Sequence, residues 1–189
     1  MQTVFNVEEL LRAATAAMSG PEWSFKRMVG DNSDKAHGYK SKMLVDFGKV
    51  RAAGMHFQFV IDAFEPVQRM WLSSMDPGGF LVPHCDTDNC ERWQLPIIPS
   101  GEWVSDEVPE IIPGVAYKFK SWKPHGVLNN GTRTRIHLVI DRAVPNEDFE
   151  RPENVFDHPL PPEMQRLKDE ALRDYNLRNN SYISSQWMF

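Results

Sequence analysis

Apolar and polar positions change rhythm several times along the chain. Val7, Leu10, Leu11, Ala14 and Met18 recur at three- and four-residue spacings, which places them on one face of a helix. Asn6 stands where it can cap that helix, Glu9 follows three residues later as in a capping box, and Gly20-Pro21 ends the segment. Between Glu22 and Gly54 no period dominates, and Gly30, Asn32, Asp34 and Gly38 mark loops. Met55, Phe57, Phe59 and Ile61 then alternate with His56, Gln58 and Asp62, a period-two signal broken only by Val60 that predicts a strand.

Short apolar runs bounded by turn residues predict further strands over 67–75, 80–84, 92–98, 115–119 and 135–141. Asp76-Pro77-Gly78-Gly79 predicts a turn, and Asn129-Asn130-Gly131 predicts a hairpin into the last strand. Many short strands with frequent Gly and Pro point to a mainly β fold with flanking helices, a sandwich or barrel rather than a parallel α/β sheet. After residue 143 charge and proline take over. Pro161-Pro162 leads into a predicted helix over 163–177, with Met164, Leu167 and Leu172 inward. The tail 179–189 ends apolar, which suits docking on the core, covering a site mouth or joining a homodimer. The pattern is read as one catalytic domain spanning 1–189: an N-terminal helical and mixed segment 1–54, a β core 55–143 and a C-terminal segment 144–189.

A chain of 189 residues buries a core of its own without staples. The net charge of -5, with no Lys/Arg-rich run, argues against nucleic acid or an anionic membrane as the partner and leaves a small molecule. The start of the chain lacks a basic stretch followed by an unbroken apolar run, and nothing approaches a membrane-spanning apolar length, so a cytoplasmic setting is expected. Cys85 and Cys90 are too few and too close for a disulfide framework.

His84-Cys85-Asp86 carries the first chemical signal. On an extended chain His84 and Asp86 share a face and Cys85 points away. A His-x-Asp pair with a distant His is the facial-triad ligand set of non-haem Fe(II), which leaves coordination positions open. Alone such a pair is common, and a surface pair beside a turn is the plain alternative. Here His125 follows in Pro124-His125-Gly126, and Arg135 comes ten residues later on a predicted strand. An arginine there can grip a carboxylate through two parallel hydrogen bonds. A hairpin would bring His125 and Arg135 to one co-substrate. A zinc site through Cys85, Cys90 and His84 lacks the second ligand pair that structural zinc requires.

The motifs SSMDPGGFLVPHCD, RWQLPI and PHGVLNNGTRTRIHLVID, between residues 71 and 141, resemble the aspartyl/asparaginyl β-hydroxylase family of 2-oxoglutarate oxygenases. The resemblance implies a double-stranded β-helix (jelly-roll, cupin-like) and a dioxygenase that uses Fe(II), 2-oxoglutarate and O2. It implies iron on His84 and His125, the distal carboxylate of the co-substrate on Arg135, and help from Ser73. Arg92 and Gln94 occupy the positions of an Arg-x-His pair that contacts the other end of the co-substrate, with Gln94 where His is usual. The best-known members have Gly in place of Asp86; this chain has the full triad His84, Asp86, His125, as proline hydroxylases do. The activity implied is oxidative decarboxylation of 2-oxoglutarate to succinate and CO2 with hydroxylation of an unactivated C–H bond. The expected substrate is a free amino acid or similar small molecule. An Asp, Asn or Pro side chain in a protein is the alternative, and a non-catalytic jelly-roll metabolite-binding module is the alternative from another class. Three neighbours remain rivals at the residue level: Arg133 for Arg135, Ser74 for Ser73, and His137 as either a cavity or a packed residue.

Overall fold

Asn6 opens helix α1 (Val7–Met18): its Oδ1 accepts the N–H groups of Glu8 and Glu9 at 2.9 and 3.1 Å, satisfying two orphan donors of the first turn. Leu10, Ala13, Ala14 and Ala17 form the buried face of this helix. Its last turn holds no basic residue. Lys42, only 4% exposed, supplies one from the sheet by donating its Nζ to the Ala17 carbonyl at 2.8 Å. In the computed structural model, the described residues are 3–19, 36–104 and 111–153, with six further positions between 162 and 173.

Nine strands follow in chain order among the described residues: β1 (Thr3–Val4), β2 (Ala36–Asp46), β3 (Lys49–Val50), β4 (Val67–His84), β5 (Glu91–Ile98), β6 (Glu102–Val104), β7 (Val115–Phe119), β8 (His125–Leu128) and β9 (Arg135–Arg142). They pair antiparallel in the order β1-β7-β5-β9-β4-β2-β3, with β8 on β4 and β6 on β8. The sheet curls into a half-barrel, a jelly-roll. β4 is the spine, 18 residues long, and pairs with β9 along its first half and β8 along its second.

Alternation sorts the three central strands into two faces. Met70 and Leu72 of β4, Leu95 and Ile97 of β5, and Ile136, Leu138 and Ile140 of β9 join one hydrophobic core with α1 and its neighbours. The intervening positions (Trp71, Ser73 and Met75; Arg92 and Gln94; Arg135, His137, Val139 and Asp141) turn to the concave side. Both faces of β9 are covered, so its polar residues are buried and need partners from the same strands.

The structure departs from the expected elements in four places. Residues 55–61 are not a strand: Ala52–Phe57 is a 3-10 helix and Gln58–Phe64 is helix α2. The buried Phe57, Val60, Ile61 and Phe64 recur at i, i+3, i+4 and i+7, so Val60, the break in the alternation, belongs to a helical stripe. The sheet also begins before residue 55, because β2 pairs along β4. β2 is an edge for most of its length, meeting β3 only at Val45 and Asp46, and its polar residues hide its period.

The segment 76–79 does not reverse the chain. Met75 pairs with Tyr39 and Phe80 with His37, so the segment bulges opposite Gly38, whose φ is +64°. Asn129-Asn130-Gly131 does not make a hairpin either. β8 and β9 do not pair with each other; both run antiparallel to β4, one after the other. The loop between them projects beside the first bulge and rejoins the same edge. Asn129, fully buried, holds this junction. Its Nδ2 donates to the carbonyls of Met75 and Arg133 at 2.9 and 2.8 Å, and its Oδ1 accepts from Ser100 Oγ at 2.8 Å and the Gly131 N–H at 3.3 Å. Backbone bonds Asn129 N–H to Gly79 O and Gly78 N–H to Asn129 O, both 2.8 Å, stitch the two bulges together.

The described positions of the predicted C-terminal helix are helical, with Gln165–Asp169 and Arg166–Glu170 pairs on its exposed side. Met164, Leu167, Leu172 and the tail 179–189 lie outside the described residues. Among the described residues no helix is long and apolar enough to cross a membrane.

Replacing Asn129 by Ala leaves buried carbonyls without donors and is expected to destabilise the protein by ~2–4 kcal/mol. The exposed neighbour change Asn130→Ala is expected to cost less than about 0.5 kcal/mol. Urea unfolding of both variants checks this; equal losses would show that Asn129 does not hold the junction.

Candidate active site

β4 ends at His84 and β8 begins at His125, and the two residues are opposite partners in the antiparallel register. Their ring centroids stand 4.3 Å apart. The backbone orients each ring in the same way. His84 Nδ1 lies 3.0 Å from the Val82 carbonyl, and His125 Nδ1 lies 2.9 Å from the Lys123 carbonyl, each carbonyl two residues earlier. A carbonyl only accepts, so Nδ1 carries the proton and Nε2 keeps its lone pair for a metal.

Asp86 sits two residues past β4, its N–H bonded to the Ser121 carbonyl at 2.7 Å. Its Oδ1 is 3.9 Å from His84 Nε2 and its Oδ2 is 3.6 Å from His125 Nε2. One ligand atom from each of the three residues lies within 4.8 Å of the others. Two imidazole nitrogens and a carboxylate converging on one point, both rings locked in the ligating tautomer, fit a divalent first-row ion.

The electrostatics keep this set ready. Burial pushes the His125 pKa down to about 4, with His84 adding to the shift and Asp86 opposing it, so the ring is neutral at pH 7. Burial alone would raise the Asp86 pKa; the charge of Arg92 outweighs it with help from the two imidazoles, so the carboxyl stays ionised below its ordinary range.

Ser73, Arg92, Gln94 and Arg135 line the same pocket as the three ligand-type residues, so the structure brings all seven sequence-derived positions together. Its empty space, open mouth included, is about 530 Å³. Arg135 is 4% exposed, with a long contact of 3.4 Å to the Ser100 carbonyl. Burial pulls its pKa down to about 10, against Tyr117 and Tyr39, and a docked carboxylate would reverse that shift. Arg133 is exposed and does not reach the pocket. Ser74 alternates to the opposite face of β4 from Ser73.

His137 is 1% exposed beside the pocket lining, its Nδ1 3.1 Å from Gln94 Oε1 and 3.3 Å from Arg135 Nη2. Its buried Nε2 has no hydrogen-bond partner among the described residues, and burial with the Arg135 charge holds the ring neutral. Arg92 is turned away from a purely co-substrate role. Its Nε and Nη2 donate to Asp141 at 2.6 and 2.9 Å, and its Nη1 donates to Asp86.

Tyr39 and Asp141 complete the site and were not among the sequence-derived candidates. Tyr39 lines the pocket from β2, in the segment without a dominant period. Asp141 was legible by counting: it follows Arg135, His137 and Val139 at period two, on the same face.

Three ligand-type side chains converge at the end of a curled antiparallel sheet, with a buried arginine in the same pocket, which defines a jelly-roll protein with a candidate metal site. A family model for aspartyl/asparaginyl beta-hydroxylase matches residues 11–145, and the chain belongs to that family of hydroxylases. No curated protein matches the sequence.

Solved structures share the fold. A prolyl-4-hydroxylase from Pseudomonas putida is similar with a TM-score of 0.51 and 17% identity, over 76% of this chain and 92% of that one. A 2OG-Fe(II) oxygenase family oxidoreductase from Burkholderia pseudomallei gives 0.52 and 15%, over 72% and 78%. The viral collagen prolyl hydroxylase of Paramecium Bursaria Chlorella virus-1, solved with 2OG, gives 0.52 and 11%, over 75% and 93%. At these identities the likeness speaks to the fold alone.

The unfolded chain takes up protons on histidines near pH 6.5, whereas His125 resists protonation down to about pH 4 and His137 resists it too. The unfolded state therefore binds more protons across that window. Stability of the metal-free protein is expected to fall as pH falls from about 6.5 towards 4. Melting temperatures measured with a chelator present test this, and a flat profile from pH 7 to 5 would contradict it.

Proposed function

We propose that His84, Asp86 and His125 bind one Fe(II), that Arg135 receives the distal carboxylate of 2-oxoglutarate, and that the substrate is a free amino acid or similarly small molecule. The observation that carries the ligand assignment is the convergence of both Nε2 atoms on the two oxygens of Asp86, with each Nδ1 already committed to a backbone carbonyl.

The bound metal and co-substrate supply the oxidising chemistry that breaks an unactivated C–H bond. The chain supplies the setting. The two Nε2 atoms and the ionised Asp86 offer three donors and leave the remaining coordination positions open. Arg135 is a planar, pre-oriented cation in a dry part of the pocket, suited to a carboxylate held through two parallel hydrogen bonds. Ser73 and Gln94 add polar groups on the same concave face, and Trp71, Phe119 and Val139 exclude water beside them. Part of the pocket is needed for the co-substrate, which favours a small substrate.

Succinate release from 2-oxoglutarate, measured with Fe(II), O2 and a panel of amino acids and peptides, tests the reading. Turnover stimulated by free amino acids is expected. Turnover with peptides only would move the substrate to a protein side chain. Absence of both turnover and Fe(II) binding would favour a non-catalytic metabolite-binding module.

Two variants separate metal from co-substrate. His125→Ala is expected to abolish Fe(II) binding in anaerobic equilibrium dialysis while the far-UV circular dichroism stays native. Arg135→Ala is expected to keep Fe(II) and raise the 2-oxoglutarate concentration for half-maximal turnover at least about tenfold, the factor given by ~1.4 kcal/mol of lost charge-assisted hydrogen bonding. Retained iron affinity in folded His125→Ala would refute the ligand assignment.

A further inference from the structure

Three ligand-type residues meet at the site, but they are not held alike. His84 and His125 stand on paired strands, each ring fixed by a backbone carbonyl. Asp86 lies beyond the end of β4, in a loop, and a carboxylate cannot donate to a carbonyl. Something else must orient it.

Arg92 is built to do so. Asp141, with no exposed surface, accepts from both Arg92 and Arg69 across the adjacent strands β5, β9 and β4, where Arg92, Asp141 and Arg69 are register partners. Arg92 contributes bonds of 2.6 and 2.9 Å to the two Asp141 oxygens, and Arg69 contributes bonds of 3.0 and 2.7 Å to one of them. Two bonds to one carboxylate fix the plane of the Arg92 guanidinium, and its carbon lies 5.2 Å over the Trp71 ring, which limits rotation further. The remaining arm, Nη1, donates to Asp86 Oδ2. Arg69 extends the row to Asp88 at 2.7 Å, tying down the same loop two residues on.

We infer that Arg92 is a positioning residue for Asp86: anchored on Asp141, it commits one oxygen of Asp86 to its guanidinium and presents the other to the metal. This rests on the ligand assignment proposed above. It gives Arg92 a task different from the co-substrate contact that the family resemblance implies. It also ties that task to the feature in which this chain departs from the best-known members, the acidic third ligand. The co-substrate's charge is then met by Arg135, the other buried arginine of the pocket.

The test titrates Mn(II) against the full-length protein and reads free Mn(II) by electron paramagnetic resonance, with no turnover required. Arg92→Met is expected to weaken Mn(II) binding about 10–100-fold, the usual effect of losing a group that orients a ligand. In an Asp86→Ala background the same change is expected to alter Mn(II) affinity by less than about twofold, because nothing remains to be oriented. If Arg92 instead gripped the co-substrate, its loss would leave Mn(II) affinity unchanged and would weaken 2-oxoglutarate binding in both backgrounds. Should Arg92→Met fail to fold, Arg92→Lys keeps a charge for Asp141, but one ammonium cannot hold both carboxylates in the same way, and Mn(II) affinity is again expected to drop. Folded Arg92 variants that bind Mn(II) as the wild type does would overturn the inference. Failure of the wild type itself to bind Mn(II) would strike the ligand assignment beneath it.

Discussion

His84 and His125 face each other because β4 and β8 pair in one register, and much of the site follows from that pairing. A slip of β8 by one residue would turn His125 to the other side of the sheet, away from His84. The register is set away from the two histidines, where the bulge at 76–79 and the loop after β8 are bonded together through Asn129. The same junction returns the chain to the edge of β4 as β9, so Arg135 enters opposite Met75 and faces the pocket. The loop between β8 and β9 thus fixes the distance along the spine between the two halves of the site.

The concave face makes a physical demand that the convex face does not. Its alternating positions carry arginines, a histidine, a glutamine and an aspartate into a buried layer. Isolated charges there would cost several kcal/mol each. Most are offset by one another: Arg69, Arg92 and Asp141 lie in one cross-strand row, and Asp86 joins it. Arg135 differs, since burial lowers its pKa and the neighbours that oppose the shift are tyrosines rather than carboxylates. An anion docking on Arg135 would relieve that cost and add to the stability of the fold.

How much was legible in the sequence depended on whether the signal was local. Helix α1 was legible from its apolar spacing and its cap, and the convergence of His84 and Asp86 from their i, i+2 spacing on an extended chain. A sandwich or barrel came from strand density, and the jelly-roll from the family resemblance of the motifs. The rest depended on partners that spacing does not reveal. β2 is a mostly polar edge strand, the stretch from Ala52 to Phe64 hides a helical stripe within an apparent alternation, and the Asn-Asn-Gly signal serves a loop that leaves and rejoins one strand edge. Arg92 was named as a candidate residue from the motifs, but its orientation depends on Asp141, forty-nine positions away.

One metal ion is proposed to sit among His84, Asp86 and His125. This placement is tested most directly by anomalous X-ray scattering at the iron edge from crystals grown anaerobically with Fe(II). A single strong peak is expected, bonded to both Nε2 atoms and to one oxygen of Asp86, with the other oxygen still on Arg92. A peak elsewhere, or iron held without Asp86, would contradict it.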